Sequence, residues 1–328
     1  MTLGGTGLIL HLDELSKLIS GAVRMEQEAS YLRLWRFSRA HITRLSDDPI
    51  YLYRAKAASG MKLDFETDSK TLSFSLAAEP AAGVSWFGMD IMVNDQLFHH
   101  EYNQAGNLTT TLQLALPEGK KRVTVYLPNL CGIRIGNFGL DDGAFYSPVS
   151  PKHKLLFLGD SITQGYTTEH PSRTYVHLLN RAMDAECLNQ AIGGAMYDEV
   201  QLDDESGYQP DMIFAAYGTN DWSKKKDIIH NADRWYKKLH SIYGNTPVYV
   251  LLPIWRPDYA LKEATGHEPF LHARSYIMEV CERYPNCHIL NTIDYIPHEQ
   301  SFFHDNVHPN EKGFACYAEA ILKALGNT

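Results

Sequence analysis

Ser161 has the surroundings of a nucleophile. It lies within residues 159–163 (Gly-Asp-Ser-Ile-Thr), directly after the apolar stretch 154–158. A serine between a buried strand and a helix lies near backbone N–H groups that stabilise negative charge. Taken alone, the segment is explained equally well if Ser161 or Asp160 only caps the following helix. The G-x-S-x-G pattern is missing, so the strand–turn–helix elbow built on that pattern is not indicated.

Asp305 and His308 lie three residues apart in the polar segment 304–309, just before the last predicted helix. This spacing lets the carboxylate accept a hydrogen bond from the imidazole, fix its tautomer and stabilise the imidazolium. The other ring nitrogen would then take the proton of Ser161, which makes a catalytic triad. Two alternatives stay open: a histidine with surface or capping duty, and a metal site of His304, Asp305 and His308, although no other ligand cluster joins them.

Two further strand ends carry groups that could stabilise an oxyanion. The pair Gly193 and Gly194 follows a predicted strand at residues 186–192, and Asn220 follows another at residues 211–217. A glycine pair exposes backbone N–H groups to a cleft because no side chain blocks the approach, and an asparagine can present its amide N–H. The simpler alternatives are a plain turn for the glycines and a loop asparagine that satisfies its own backbone.

The elements that must position these groups alternate between strand and helix. Predicted strands cover residues 154–158, 186–192, 211–217, 247–253 and 288–290, and helical spacing covers residues 175–183, 227–243, 270–280 and 310–325. Such alternation predicts βαβ units and a mostly parallel sheet covered on both faces. Ligands bind beyond the carboxyl ends of strands in such sheets. The chemical groups above follow these strands or precede the final helix.

The first half of the chain has a different pattern. From residue 51 to residue 138, short runs of alternating hydrophobicity are separated by turn signals, one of them at residues 103–107. Several such strands at short spacing predict a β-sandwich, of jelly-roll type. A short helix is expected between Asp13 and Met25. The Gly-, Asp-, Ser- and Pro-rich residues 136–151 are interpreted as a linker, which gives a sandwich domain at residues 1–150 and an α/β domain at residues 151–328.

Composition narrows the function further. The chain has 328 residues, a formal net charge of -9 and five cysteines. Cations occur only in short runs such as Lys224–Lys226, so a nucleic-acid partner is not expected. There is no signal-peptide pattern and no run of about 18 apolar residues, so we expect a cytoplasmic protein without a membrane span. The odd number of cysteines and the missing CxxC pair predict free thiols in a reducing compartment and no structural zinc site.

Taken together, these motifs resemble the SGNH (GDSL-like) hydrolase superfamily over residues 154–325, with Ile162 where the GDSL name has leucine. The resemblance implies a flavodoxin-like, three-layer α/β/α fold and ester hydrolysis without a metal or other cofactor. It implies that Ser161 attacks the acyl carbonyl, that His308 is general base and then general acid, and that Asp305 orients it. The oxyanion would be held by the backbone N–H groups of Ser161 and Gly194 and by the side chain of Asn220.

A β-sandwich before an SGNH domain is similar to some bacterial carbohydrate esterases, which remove acetyl groups from sugars. Four side chains near the motifs could contact a small-molecule or oligosaccharide ester: Tyr166, Trp222, Trp255 and Arg256. Packing in the core or at the domain contact explains each equally well. Two other functions stay open, a lipase or acyl-thioesterase and a catalytically silent carbohydrate-binding protein. The sandwich domain could bind sugar, complete the wall of the site or mediate homo-oligomerisation.

Overall fold

The computed structural model describes residues 7–103 and 109–326, so most of the turn predicted at residues 103–107 lies outside the described residues. Its first part contains two six-stranded antiparallel sheets. The first sheet consists of β1 (Leu8–Ile9), β3 (Arg24–Glu28), β4 (Tyr31–Trp35), β6 (Thr71–Pro80), β9 (Thr109–Ala115) and β11 (Cys131–Leu140). The second consists of β2 (Ile19–Ser20), β5 (Lys62–Thr67), β7 (Phe87–Val93), β8 (Gln96–Asn103), β10 (Lys121–Tyr126) and β12 (Tyr146–Pro148).

The two sheets share one apolar core, as in a β-sandwich. The strand orders are β3-β4-β11-β6-β9, with β1 on β11, and β12-β5-β10-β7-β8, with β2 on β5. Leu63 and Phe65 of β5 and Leu72 and Phe74 of β6 are buried in this core. They recur at every second position because successive side chains of a strand point to opposite faces. The predicted sandwich is therefore confirmed.

Two details of the first half differ from the prediction. The helix expected between Asp13 and Met25 is α1 (Leu12–Leu18), and the chain then continues as β2 and β3. The sandwich pattern was expected from residue 51, but residues 51–55 belong to α3 (Pro49–Ala55), which follows α2 (Arg39–Arg44). Asp48 caps α3 through its carboxylate, and Pro49 occupies the first helical position, where a missing N–H is no loss.

The predicted linker at residues 136–151 is wrong for half of its length, because β11 runs to Leu140 and β12 occupies Tyr146–Pro148. Gly136 belongs to a tightly packed strand and not to a flexible joint. A Cβ there would lie 2.1 Å from the carbonyl oxygen of Ser30, so glycine allows the close approach of neighbouring backbones.

The second part is built on a five-stranded sheet in the order β14-β13-β15-β16-β17, with every strand parallel to its neighbours. Its strands are β13 (His153–Gly159), β14 (Ala185–Asn189), β15 (Met212–Ala216), β16 (Val248–Leu251) and β17 (Cys287–Leu290). Its helices are α4 (Ser161–Gln164), α5 (Tyr175–Ala182), α6 (Thr219–Ser223), α7 (Ile228–Tyr243), α8 (Tyr259–Ala264), α9 (Phe270–Cys281) and α10 (Glu311–Leu325). The predicted α/β fold class is confirmed.

Both faces of this sheet are buried. Leu156 and Leu158 of β13 pack on one side with α7 and α9, whereas Leu155 and Phe157 pack on the other with α5 and α10. This explains why the strand reads as a continuous apolar run. In the described residues, no helix is both long enough and apolar enough to cross a membrane.

The two parts of the chain are joined by more than the connection between β12 and β13. Phe37, Leu45 and Ala55, which lie in and around α2 and α3, belong to the same buried cluster as Leu156 and Trp235 of the α/β part. Helices that precede residue 150 thus pack against the parallel sheet that follows it. The domain boundary at residue 150 therefore stays a prediction.

Candidate active site

Ser161 is the first residue of α4, directly beyond the carboxyl end of β13. Asp160 caps this short helix, since its Oδ1 accepts the backbone N–H of Ile162 at 2.9 Å. A Cβ at Gly159 would lie 2.4 Å from Thr163 Oγ1, so glycine permits the sharp turn from strand to helix. The capping alternative therefore describes Asp160, and the hydroxyl of Ser161 is left for other contacts.

Ser161, His308 and Asp305 form a continuous hydrogen-bonded chain. Ser161 Oγ lies 2.8 Å from His308 Nε2, and His308 Nδ1 lies 2.8 Å from Asp305 Oδ2. The other carboxylate oxygen, Asp305 Oδ1, accepts the backbone N–H groups of Val307 and His308 at 2.7 Å each. One carboxylate therefore orients the imidazole and also fixes the loop that carries it.

The surroundings set the protonation of this chain. Burial lowers the pKa of His308 below its ordinary value of 6.5, against the opposing effect of Asp305. Burial alone would raise the pKa of Asp305, but hydrogen bonds from the side chain and backbone of His308 bring it below its ordinary value. At neutral pH the pair is thus a neutral imidazole beside a carboxylate. We assign the ring proton to Nδ1, facing the carboxylate, which leaves Nε2 to accept the proton of Ser161.

Two backbone N–H groups at the cavity are candidate oxyanion donors. Within the described ranges, neither the N–H of Ser161 nor that of Gly194 donates to a protein acceptor. Both residues line the same cavity. Gly194 has φ +79°, which favours glycine. Asn220 also lines the cavity, and its amide nitrogen donates to the carbonyl of Ala195 at 3.0 Å and lies 3.5 Å from Asp160 Oδ2. The 3.5 Å contact is the weaker of the two, so the N–H that points to Asp160 is the one that could turn to an oxyanion.

These groups open into a cavity of about 400 Å³. Six predicted residues line it: Ser161, Tyr166, Gly194, Asn220, Arg256 and His308. Gly193, the other member of the predicted glycine pair, also lines it, and the remaining lining residues were not predicted: Arg54, Ala82, Gln164, Ser223, Asp258, Lys262 and Val307. Most of the residues that line it are polar or charged, and its aliphatic side chains are Ala82 and Val307.

Arg54 reaches the cavity from α3, in the first half of the chain. Its Nη1 donates to the carbonyl of Gly193 at 2.5 Å. Gln164 completes the arrangement, because its Oε1 accepts the N–H of Gly193 at 2.7 Å and its Nε2 donates to the carbonyl of Arg54 at 3.2 Å. Helix α3 thereby holds the glycine turn that presents the Gly194 N–H. No local sequence pattern indicates this role.

Two of the predicted substrate contacts lie in the cavity. The ring of Tyr166 lies 4.8 Å from that of His308, centre to centre. Arg256 is 3% exposed, and its guanidinium binds the carboxylate of Asp258 through two hydrogen bonds of 2.9 and 2.8 Å. Since that bidentate pair neutralises much of its charge, Arg256 contributes mainly to the shape of the wall.

The structure does not bring Trp222 and Trp255 to the cavity lining. Trp222 is 2% exposed, and its indole N–H donates to the carbonyl of Glu268 at 2.9 Å, so it belongs to the core. Trp255 stacks on His298 with ring centres 4.8 Å apart. Both tryptophans follow the functional strands in sequence, but their side chains turn towards protein packing. The packing alternative describes them.

The metal alternative at residues 304–308 is also resolved by geometry. In residues 7–103 and 109–326, His304 does not join Asp305 and His308 in a set of ligand atoms close enough to share one ion. The contact of His304 with this loop is a backbone hydrogen bond to the carbonyl of His308 at 2.8 Å.

Comparison with known proteins agrees with this arrangement. Residues 157–316 match the GDSL-like Lipase/Acylhydrolase family. The second half of the chain is a GDSL-like SGNH hydrolase domain. The GDSL-like domain thus includes every residue of the Ser161–His308–Asp305 chain. No curated protein matches the sequence.

Solved structures match across both parts of the chain. One is the salicylyl-acyltransferase SsfX3 from a tetracycline biosynthetic pathway, with a TM-score of 0.81, 21% identity and 94% of each chain covered. A family two carbohydrate esterase from Clostridium thermocellum, solved with cellohexaose, has a TM-score of 0.69 and 15% identity over 94% of this chain and 98% of its own. The family two carbohydrate esterase from Cellvibrio japonicus has a TM-score of 0.66 and 19% identity over 95% of both chains. At these identities the likeness establishes the shared two-part fold, in which a β-sandwich precedes the GDSL-like hydrolase domain.

Proposed function

We propose that this protein is a serine esterase that hydrolyses short-chain acyl esters, chiefly acetyl esters, by way of an acyl-enzyme on Ser161. The observation that carries the proposal is the hydrogen-bonded chain from Asp305 through His308 to Ser161, which ends at an open cavity. An imidazole that lies 2.8 Å from a serine hydroxyl on one side and 2.8 Å from a carboxylate on the other supports catalysis over a silent binding function.

The reaction follows from the positions of these groups. Ser161 Oγ attacks the acyl carbonyl carbon while His308 Nε2 takes the hydroxyl proton. The tetrahedral oxyanion is stabilised by the N–H groups of Ser161 and Gly194, with Asn220 as a further donor. His308 then gives its proton to the leaving alcohol, and the acyl group stays on Ser161. Water, deprotonated by the same imidazole, attacks the acyl-enzyme and releases the acid.

The walls of the cavity favour a small acyl group. The cavity has a volume of about 400 Å³ and is lined by charged residues such as Arg54, Asp258 and Lys262. The aliphatic side chains in its lining are those of Ala82 and Val307. A long acyl chain would need a continuous apolar channel, because each buried methylene is worth about 0.8 kcal/mol only where its neighbours are apolar. This supports acetyl esters over the lipase and acyl-thioesterase alternatives.

For the alcohol part we propose a short acetylated oligosaccharide. Sugar hydroxyls suit a polar rim, and Tyr166 offers an aromatic face beside His308. The fold is shared with family two carbohydrate esterases, one of which was solved with cellohexaose. The likeness to SsfX3 raises a second candidate, transfer of the acyl group to an alcohol acceptor in place of water.

We also propose that the protein works in the cytoplasm. All five cysteines are free thiols, which is typical of a reducing compartment. Alkylation of intact cells followed by mass spectrometry of the purified chain would test this, because oxidised pairs would argue for another location.

The test is a substrate panel on wild type, Ser161→Ala and a matched control, Ser223→Ala, whose serine also lines the cavity but lacks the contact with His308. Hydrolysis of p-nitrophenyl acetate, butyrate and octanoate is compared with release of acetate from acetylated xylo- and manno-oligosaccharides. We expect acetyl esters to be preferred, Ser161→Ala to lose at least 1,000-fold in kcat (roughly as for other triad serines), and Ser223→Ala to stay within a few-fold.

Two outcomes would count against the proposal. Preference for octanoate would favour a lipase or thioesterase, and equal activity of Ser161→Ala and wild type would remove the serine mechanism. Adding a sugar alcohol to the assay separates the second candidate: a transferase forms the new ester in preference to free acetate.

A further inference from the structure

A cluster of two histidines and one aspartate lies between the sandwich and the hydrolase domain, apart from the triad. Asp90 is on β7, and His100 is directly opposite it on the neighbouring strand β8. His170 comes from the hydrolase domain, in the loop after Tyr166. A Cβ at Gly88 of β7 would lie 1.8 Å from the carbonyl oxygen of Glu169, so this loop rests directly on the strand.

Both imidazoles converge on one carboxylate oxygen. His100 Nδ1 lies 2.7 Å and His170 Nδ1 lies 2.8 Å from Asp90 Oδ1, and the two rings are 3.8 Å apart, centre to centre. Ligand atoms of the three residues all lie within 4.8 Å of one another. In tetrahedral zinc sites, metal–ligand bonds of about 2.0–2.2 Å place ligand atoms about 3.4 Å apart. The distances from the two imidazole nitrogens to Asp90 Oδ1 would therefore each lengthen by about 0.6–0.7 Å to make room for an ion.

The second oxygen of Asp90 is already held in place. Asp90 Oδ2 accepts the backbone N–H of Ser172 at 3.0 Å and its hydroxyl at 2.6 Å. Carboxylates that bind metals are commonly oriented by such outer hydrogen bonds. They come from the same loop that supplies His170, and they leave Oδ1 to the two imidazoles, where an ion would replace the two hydrogen bonds.

The buried charge of Asp90 also favours a bound cation. Asp90 is completely buried, and in the described residues it pairs with no lysine or arginine, only with His100 and His170. A buried carboxylate is costly without a compensating charge, which a bound cation would supply. The two histidine side chains are 21% and 20% exposed, so an ion and a water ligand can enter from solvent.

We propose that Asp90, His100 and His170 bind one divalent transition-metal ion of the zinc class and thereby clamp the sandwich to the hydrolase domain. Two imidazoles and a carboxylate suit Zn²⁺, whereas Mg²⁺ and Ca²⁺ prefer oxygen ligands only. The site lies outside the Ser161 cavity lining, so the proposal does not depend on the proposed esterase function. By fixing the loop that follows Tyr166, the ion would also steady one wall of that cavity.

The test uses the full chain freed of metal with a chelator and titrated with Zn²⁺ alone, by calorimetry and thermal melting. We expect one Zn²⁺ per chain, a melting temperature raised by several degrees, and no comparable effect of Mg²⁺ or Ca²⁺. His100→Ala and His170→Ala should weaken binding at least 100-fold. Ser172→Ala keeps all three ligands and should weaken it about 10- to 100-fold.

The matched control is His99→Ala, since His99 adjoins His100 on β8 but contacts Glu101 instead of Asp90. It should bind Zn²⁺ as wild type does. Variants are compared after their metal-free melting curves confirm a folded chain. If His100→Ala does not fold, His100→Gln is used in its place. Failure of wild type to bind Zn²⁺, undiminished binding by His170→Ala, or equal losses in His99→Ala would each overturn the proposal. The two histidines would then hold the domains together by hydrogen bonds alone.

Discussion

Replacing Asp305 with asparagine should leave the fold intact and remove the base. Asp305 Oδ1 accepts two backbone N–H groups at 2.7 Å, so an asparagine oxygen should stay there. The amide NH₂ then faces His308 Nδ1, which lies 2.8 Å from the present Oδ2. Because NH₂ donates, Nδ1 must accept, and the ring proton moves to Nε2. An Nε2–H donates to Ser161 Oγ and can no longer take its proton.

The size of the loss can be worked from the exposure of the aspartate. A fully buried triad aspartate costs about 10⁴-fold in kcat when it becomes asparagine. Here the side chain of Asp305 is 43% exposed, so water can compete for Nδ1–H and restore the right tautomer part of the time. We therefore expect a loss of about 10³-fold in kcat, equivalent to about 4 kcal/mol of activation free energy.

The assay is steady-state hydrolysis of p-nitrophenyl acetate, with thermal melting of both proteins. KM should change little because Asp305 is absent from the cavity lining, and Tm should stay within a degree or two. Asp305→Ala is the companion variant, since it also loses both backbone acceptors and should melt lower. If Asp305→Asn folds normally and keeps more than a tenth of wild-type kcat, the tautomer argument is wrong.

Three further predictions concern the cavity and the domain contact. Gly194→Ala should lower kcat about 10²- to 10³-fold, because it displaces the backbone N–H of residue 194 from the oxyanion. The φ of +79° disfavours alanine, and the new Cβ would lie 2.8 Å from Arg54 Nη1. Steady-state kinetics measures the loss, and circular dichroism checks that the variant is folded. The pH profile of kcat/KM should fall only below pH 6.5, because burial lowers the pKa of His308 and the base is lost when the ring is protonated; an acidic limb centred above that pH would contradict it. Arg36→Met should reduce the free energy of unfolding by about 3 kcal/mol or more in urea titrations, because the buried guanidinium donates to carbonyl groups of both domains; an unchanged midpoint would argue against it.

Parallel-sheet geometry explains why the central residues were predictable from sequence. The carboxyl ends of the strands meet at one edge of the sheet, so groups directly after them must lie together. Ser161 follows β13 and Asn220 follows β15, and both line the cavity. His308 precedes α10, whose apolar spacing was clear, so its placement also followed from the pattern.

Contacts between distant segments were not predictable in the same way. Arg54 reaches the cavity from α3, and nothing in the local sequence tells which surface α3 covers. The signals for α3 itself, Asp48 as cap and Pro49 at the first helical position, were present but lay at the edge of a strand-like pattern. Trp255 was predicted to contact substrate because it follows a strand. That position alone does not decide whether the side chain turns to the cavity or to His298, on which it stacks.

The cluster of Asp90, His100 and His170 was also invisible in sequence. His100 and Asp90 meet only because β7 and β8 pair in one register, and a slip of one residue would turn His100 to the other face. His170 joins them across the domain contact, 80 residues from Asp90. Such long-range contacts depend on how the sandwich packs against the hydrolase domain, which hydrophobic patterning does not specify.

The most direct test of the serine mechanism is covalent labelling with a fluorophosphonate, followed by mass spectrometry of the digested chain. An activated serine attacks the phosphorus of the fluorophosphonate as it would attack the carbonyl carbon of an ester. We therefore predict one label per chain, on Ser161. The label should be lost in His308→Ala and retained in Ser223→Ala. Labelling of a different residue, or equal labelling of the folded His308→Ala variant, would contradict the claim that His308 activates Ser161.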